Sequence, residues 1–294
     1  MSNILIGTMV IFYTMQSFLC KKFTDNYPGE GKYASYVFTI INNSLVALIT
    51  LLFSGLKFNP SVLTVVLGMS NAIALYFYNY FIVSCSQTGP YSILMVFSIA
   101  GGIIVPCVGS MFLYNELITL RQLFSIIIIF VAVYLISQKA QNKQSEKKIS
   151  GKFIFLCFML GLFNGIYGLL LNIQQNTTGA TEKEEMIIIT FFAAAIISLF
   201  TLIPKAKSTL AGVMKQSGAS AVYLFCCGVV SALAINLMVY IIPYVNITVL
   251  YTIDNSGVML LSVLCSVIFF KEKLSLKNII GCIIMCIGLV GVAI

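Results

Sequence analysis

The sequence predicts an all-α polytopic membrane protein, with ten transmembrane helices forming two inverted five-helix repeats. Three observations carry this reading. The chain of 294 residues is 60% hydrophobic and only 9% charged, with a mean hydropathy of +1.02, whereas soluble domains carry roughly 25% charged residues. Apolar runs recur along its whole length, and about 20 such residues cross the ~30 Å hydrocarbon core of a bilayer. A pattern around an acidic residue also occurs twice, once in each half. An outer-membrane barrel would instead show short segments of alternating hydrophobicity.

Setting apolar runs against polar breaks places the helices in order. The first, at 3–20, opens on Met-Ser-Asn-Ile-Leu-Ile-Gly, lacks the basic flank and cleavage site of a signal peptide, and stops at Lys21-Lys22. The second, 33–54, lies between Lys32 and Lys57-Phe-Asn-Pro60. The third, 61–86, ends at Gln87-Thr-Gly-Pro90. The fourth, 90–114, ends at Glu116 and holds Pro106, which predicts a kink. The fifth, 119–138, closes the first repeat, residues 1–138, and a polar linker follows at 139–151. The second repeat, 152–294, opens with a helix at 152–172 whose Gly161-Leu-Phe-Asn-Gly165, with Gly168 one turn on, predicts close helix contact within the chain. Helices at 186–203, 218–241, 244–270 and 275–293 complete it, with Pro243 dividing the eighth from the ninth.

The repeated pattern is Phe112-Leu-Tyr-Asn-Glu-Leu-Ile-Thr-Leu-Arg-Gln122, aligned without gaps on Ile268-Phe-Phe-Lys-Glu-Lys-Leu-Ser-Leu-Lys-Asn278. Glu116 matches Glu272, and Thr119 matches Ser275 as the N-cap of the next helix. Carried onward, the register sets Ser125 on Gly281 and Ala132 on Gly288. Five helices per half is odd, so the second half crosses the membrane in the opposite sense, as transporter repeats do. The stretch from Phe270-Lys-Glu272 to Gly281, ending Ile-Gly288-Leu-Val-Gly291, resembles the final helix pair of the drug/metabolite transporter superfamily, in its EamA-like ten-helix group. The stretch from Asn115-Glu116 to Leu135 resembles the matching first-half motif. The resemblance implies a multi-pass transporter of a small metabolite or drug, without a cofactor. Glu116 and Glu272, each at a loop before an N-cap, read as structural acids complementing a helix dipole.

The net charge of +8 sits in short loops between apolar segments, where basic residues set topology, so no nucleic-acid partner is expected. Alternating the loops puts 14 of the 17 basic residues on one side and only Lys57, Arg121 and Lys183 on the other. The basic side is the cytoplasmic one, and both termini face out. The expected location is a plasma membrane, the inner membrane in a bacterium, with the protein a monomer or homodimer in the bilayer. The nine cysteines lie scattered in apolar segments without ligand spacing, and there is no histidine. No metal site, catalytic group or enzyme activity is therefore expected.

Polar residues inside the spans carry the functional expectation, because such groups face a bundle interior or a water-filled path. On the ninth helix Tyr244, Thr248, Tyr251, Asn255 and Ser262 recur on one face, bordered by Asp254, about 15 Å deep at 1.5 Å per residue. Its first-half counterpart is Ser98. Further candidates are Tyr13 with Gln16 on the first helix, Asn164 with Tyr167 on the sixth, and Tyr76 with Asn79 on the third, together with Asn236 on the eighth. Asn42-Asn43 lies mid-way along the second. An ionised carboxylate at the midplane costs a few kcal/mol at least. Asp254 therefore stays protonated, meets a cationic substrate, or alternates between the two as charge anchor and proton carrier. Nearby tyrosines suit an organic cation. The expected function is alternating-access transport of a small polar or amphiphilic substrate between the halves. A non-transporting receptor or scaffold would tolerate a dry interior, and a membrane-embedded enzyme would need catalytic groups this sequence lacks.

Overall fold

The computed structural model describes residues 2–28, 31–114, 119–137, 150–177, 181–202, 218–241, 244, 247–272 and 274–293. Among these residues there are ten helices and no strand: α1 Ser2–Asn26, α2 Gly31–Phe53, α3 Val62–Thr88, α4 Tyr91–Tyr114, α5 Leu120–Ser137, α6 Gly151–Thr177, α7 Lys183–Leu202, α8 Gly218–Ile241, α9 Ile247–Phe269 and α10 Leu276–Ala293. Six are long and apolar enough to cross a membrane, and the other four hold shorter apolar stretches. The protein is an all-helical, multi-pass membrane protein. Most of the linker, Glu116 and Pro243 lie outside the described residues.

Two helices outrun their expected ends, for local reasons. The α1 helix continues past Lys21-Lys22 to Asn26, because both lysines find partners inside the bundle. Lys21 Nζ donates to the Ser86 carbonyl near the end of α3 and pairs with Asp25 at 3.0 Å. Lys22 lies 5.7 Å and 5.3 Å from the ring centroids of Phe18 and Phe270, within cation–π reach. The α6 helix runs on to Thr177 because polar side chains satisfy its last turns. The buried Gln174 donates to the Glu182 carbonyl, and Thr177 donates to Ile173 O.

The helix contacts follow a two-fold pattern. Each of α2, α4 and α5 packs on its own counterpart, α7, α9 and α10. The α1/α8 contact is matched by α6/α3, α3/α7 by α8/α2, and α4/α6 by α9/α1. The match is not equal in depth. The α4 and α6 helices meet backbone to backbone through Gly101, Gly161 and Gly165, where any side chain would strike the facing main chain, while Gly257 of α9 meets only the Val10 side chain of α1. On the α5/α10 pair, Gly288 leaves room for the Ile129 side chain and Gly291 for that of Ser125.

Both described acidic caps reach across the bundle. Past α9, Lys271 takes a left-handed φ of 53° and Glu272 N–H donates back to Ser266 O. That turn aims the Glu272 carboxylate at the start of α4, where Oε1 accepts from Tyr91 N–H (2.6 Å) and Oε2 from Ser92 N–H (3.2 Å) and its hydroxyl (2.7 Å). The acid complements a helix N-terminus, but that of α4 and not of the helix following it. Glu182 does the same for α3, accepting from the Ser61 N–H and hydroxyl at 3.0 and 2.8 Å.

Candidate functional site

Two apolar cores divide the molecule along its length. One, at the lysine-rich end, gathers Phe23, Leu94, Phe153 and Leu160; the other gathers Met9, Ala47, Leu75, Ile187 and Ile241. Tyr13 and Tyr78 pack against both. Here the helices enclose a cavity of about 180 Å³.

Its walls come from both halves. From α9 come Asp254, Asn255 and Val258, and from α4 Ser98, Ile99 and Gly102. Ser98 and Asp254, matched by the repeat register, thus face one space. Asn164 reaches in from α6 and donates to Ser98 O at 2.8 Å, and Gly102 leaves it room, since a Cβ there would come within 2.8 Å of Asn164 Nδ2. Tyr167 lines the same wall and meets Phe191 edge-on with ring centroids 6.5 Å apart. On α1, Tyr13 and Gln16 line the cavity, and the Tyr13 hydroxyl donates to Met238 Sδ at 3.2 Å.

A chain of amides and hydroxyls forms the far wall. Ser231 donates to Asn42 Oδ1 (3.2 Å), and Asn42 and Asn79 each donate to Asn43 Oδ1 at 3.1 Å. This chain links α8, α2 and α3. Tyr78 hydrogen-bonds Ser98 beside it. Within this wall the Asn43 Nδ2 is buried without a hydrogen-bond partner among the described residues, and across the cavity so is the Oδ1 of Asp254, the one carboxylate among its lining residues. Buried polar groups are paired in the great majority of cases.

At the lysine-rich end the cavity is sealed. The Tyr91 hydroxyl shares a 2.6 Å hydrogen bond with Ser17 and donates to Ser262 at 3.5 Å, tying α4 to α1 and α9. Phe18 and Phe270 pack beside it. Residues 91–96 of α4 are all buried here, whereas 101–106 and residues 254–257 of α9 are half-buried.

Of the expected site residues, Asp254, Asn255, Asn79, Gln16, Tyr13, Asn164 and Tyr167 come together on this cavity. Three stand elsewhere. Tyr244 is 73% exposed and lies 5.7 Å, centroid to centroid, from the Tyr240 ring, an interfacial pair on the outer surface. Tyr76 turns between α2 and α7, hydrogen-bonding Thr201 and Tyr36. Asn236 donates to Thr50 at 2.8 Å, joining α8 to α2. The side chains of Thr248 and Tyr251 lie outside the described residues. The sequence reading missed Tyr78 and Ser231 as wall residues. Tyr78 falls at the Leu75–Ile82 spacing of the true inner face, whereas a hydroxyl as small as that of Ser231 gives no sequence signal.

Residues 151–294 match the model of the EamA-like transporter family. That match spans just under half of the chain, and it makes this part similar to a family of membrane transporters. A solved structure described only as "Crystal structure of protein" aligns over 99% of this chain and 96% of its own, with a TM-score of 0.65 at 12% identity. That likeness shows a shared fold over both repeats. No curated protein matches the chain.

Proposed function

We propose that this protein is a membrane transporter that moves a small polar or amphiphilic solute by alternating access, with Asp254 as the charge anchor or proton carrier of the central site. One observation carries the reading: a carboxylate with an unpartnered buried oxygen on the wall of a cavity built by both halves. Intramembrane ionisable residues mark substrate or ion pathways, and repeat interfaces near the midplane hold transport sites. An organic cation fits best, because Asp254 supplies the counter-charge and Tyr13 and Tyr167 supply aromatic faces.

The unequal α4/α6 and α9/α1 contacts support a conformer caught on one side of such a cycle. A true two-fold object would pack both pairs alike; this one is sealed at the lysine-rich end. With that end cytoplasmic, both termini face outward, and the expected home is a plasma membrane. A receptor or scaffold needs no polar chamber, and the amide-lined cavity argues against it.

The test is solute flux into vesicles carrying the purified protein. Asp254→Asn keeps shape and hydrogen-bonding capacity but removes the charge. It should insert normally while transport falls tenfold or more, from losing a charge-assisted contact of about 1.5–3 kcal/mol. Unchanged flux would reduce Asp254 to a packing residue.

A further inference from the structure

The cavity has a direction of hydrogen bonding as well as a charge. Asp254 is its ionisable carboxylate, and among the described residues no lysine or arginine lines it. The amides around it are oriented by the protein. Asn79 spends an N–H on Asn43 Oδ1, and Asn164 spends one on Ser98 O. Both side chains line the cavity, and an amide whose N–H is committed in this way still carries an oxygen acceptor with two lone pairs. Together with Asp254 they present three oxygen acceptors from three helices to one small space. Gln16 adds an amide that both donates and accepts.

Size sharpens the selection. The cavity's 180 Å³ falls below the roughly 300–1,000 Å³ of drug-sized sites. In a site this small a second charge on a ligand lies within one Debye length of Asp254 at physiological salt, about 8 Å, and meets it little screened. A carboxylate or phosphate would be repelled by Asp254, with only neutral donors to receive it.

Resting on the transport reading above, we propose that the solute is a small protonated primary amine with a second hydrogen-bond donor and no acidic group, as in an amino alcohol or short diamine. The ammonium sits at Asp254, and the second donor is received by Asn79 Oδ1 or Asn164 Oδ1. Amino acids and phosphorylated metabolites are rejected by charge, and quaternary ammoniums by their lack of an N–H.

The test uses four probes of one chain length on the purified full chain: 4-aminobutan-1-ol, butylamine, 4-aminobutyrate and butyltrimethylammonium, read by calorimetric titration and thermal stabilisation. The amino alcohol should bind roughly tenfold or more tighter than the amino acid or the quaternary ion, and several-fold tighter than butylamine. Asn79→Leu and, independently, Asn164→Leu should narrow the ratio between amino alcohol and amine. Equal or tighter binding of 4-aminobutyrate or butyltrimethylammonium overturns the assignment, as does no binding of 4-aminobutan-1-ol. The transport reading fails by a different result: no counterflow of any solute by the reconstituted protein, or flux indifferent to Asp254→Asn.

Discussion

At Tyr91 a single hydroxyl joins three helices at the sealed end, through Ser17 and Ser262. A hydrogen bond of this kind contributes about 0.5–1.5 kcal/mol net, enough to move a two-state population two- to tenfold. Tyr91→Phe keeps the ring against Phe270 and removes only the bridge. Spin labels at the lysine-rich ends of α1 and α9 should show a larger open fraction in the variant, with unchanged insertion. An unchanged distance distribution would mean that apolar packing alone holds the seal. The candidate site was partly legible at this scale. Asp254 announced itself, because a lone acid in a long apolar run has few cheap explanations. Tyr244 shares its helical face with Asn255 by spacing, but spacing does not report depth, and Tyr244 lies at the surface end of that stripe. On α3, Tyr76 and Tyr78 are equivalent by composition. Only the packing of α7 against one side separates them.

At the scale of elements, the caps cross between helices that are far apart in sequence. Glu182 sits in the α6–α7 turn and serves α3. Hydrogen bonds from the Thr64 side chain first, and then from Ser61 N–H and its hydroxyl, hold its carboxyl below the usual carboxylate range. A depressed folded-state value means the contribution is present above the unfolded-state value and is lost as pH falls through the folded one. Glu182→Gln should therefore melt below the wild type at neutral pH, and the gap should close in acid. A gap independent of pH would show that shape, and not charge, matters there. The helices themselves were legible throughout, since long apolar runs leave few alternatives. Their ends were less so, because Lys21 and Lys22 read as a stop until Ser86 and Phe270 are seen to receive them.

At the scale of the whole molecule, the aligned Glu116 and Glu272 motifs predicted two equivalent halves, and the helix pairings reproduce that equivalence. What the sequence could not carry is the inequality of the α4/α6 and α9/α1 contacts, because one sequence serves every conformer that the chain adopts. Alternating access at one central site is the main claim, and Ser98 faces that site opposite Asp254. The direct measurement places a single reactive thiol there, Ser98→Cys with the native cysteines replaced. A membrane-impermeant thiol reagent is then applied to either face of sealed vesicles. The account predicts labelling from both faces, slowed by bound solute, without a standing leak of small ions. Labelling from one face alone, whatever solute is present, would contradict it.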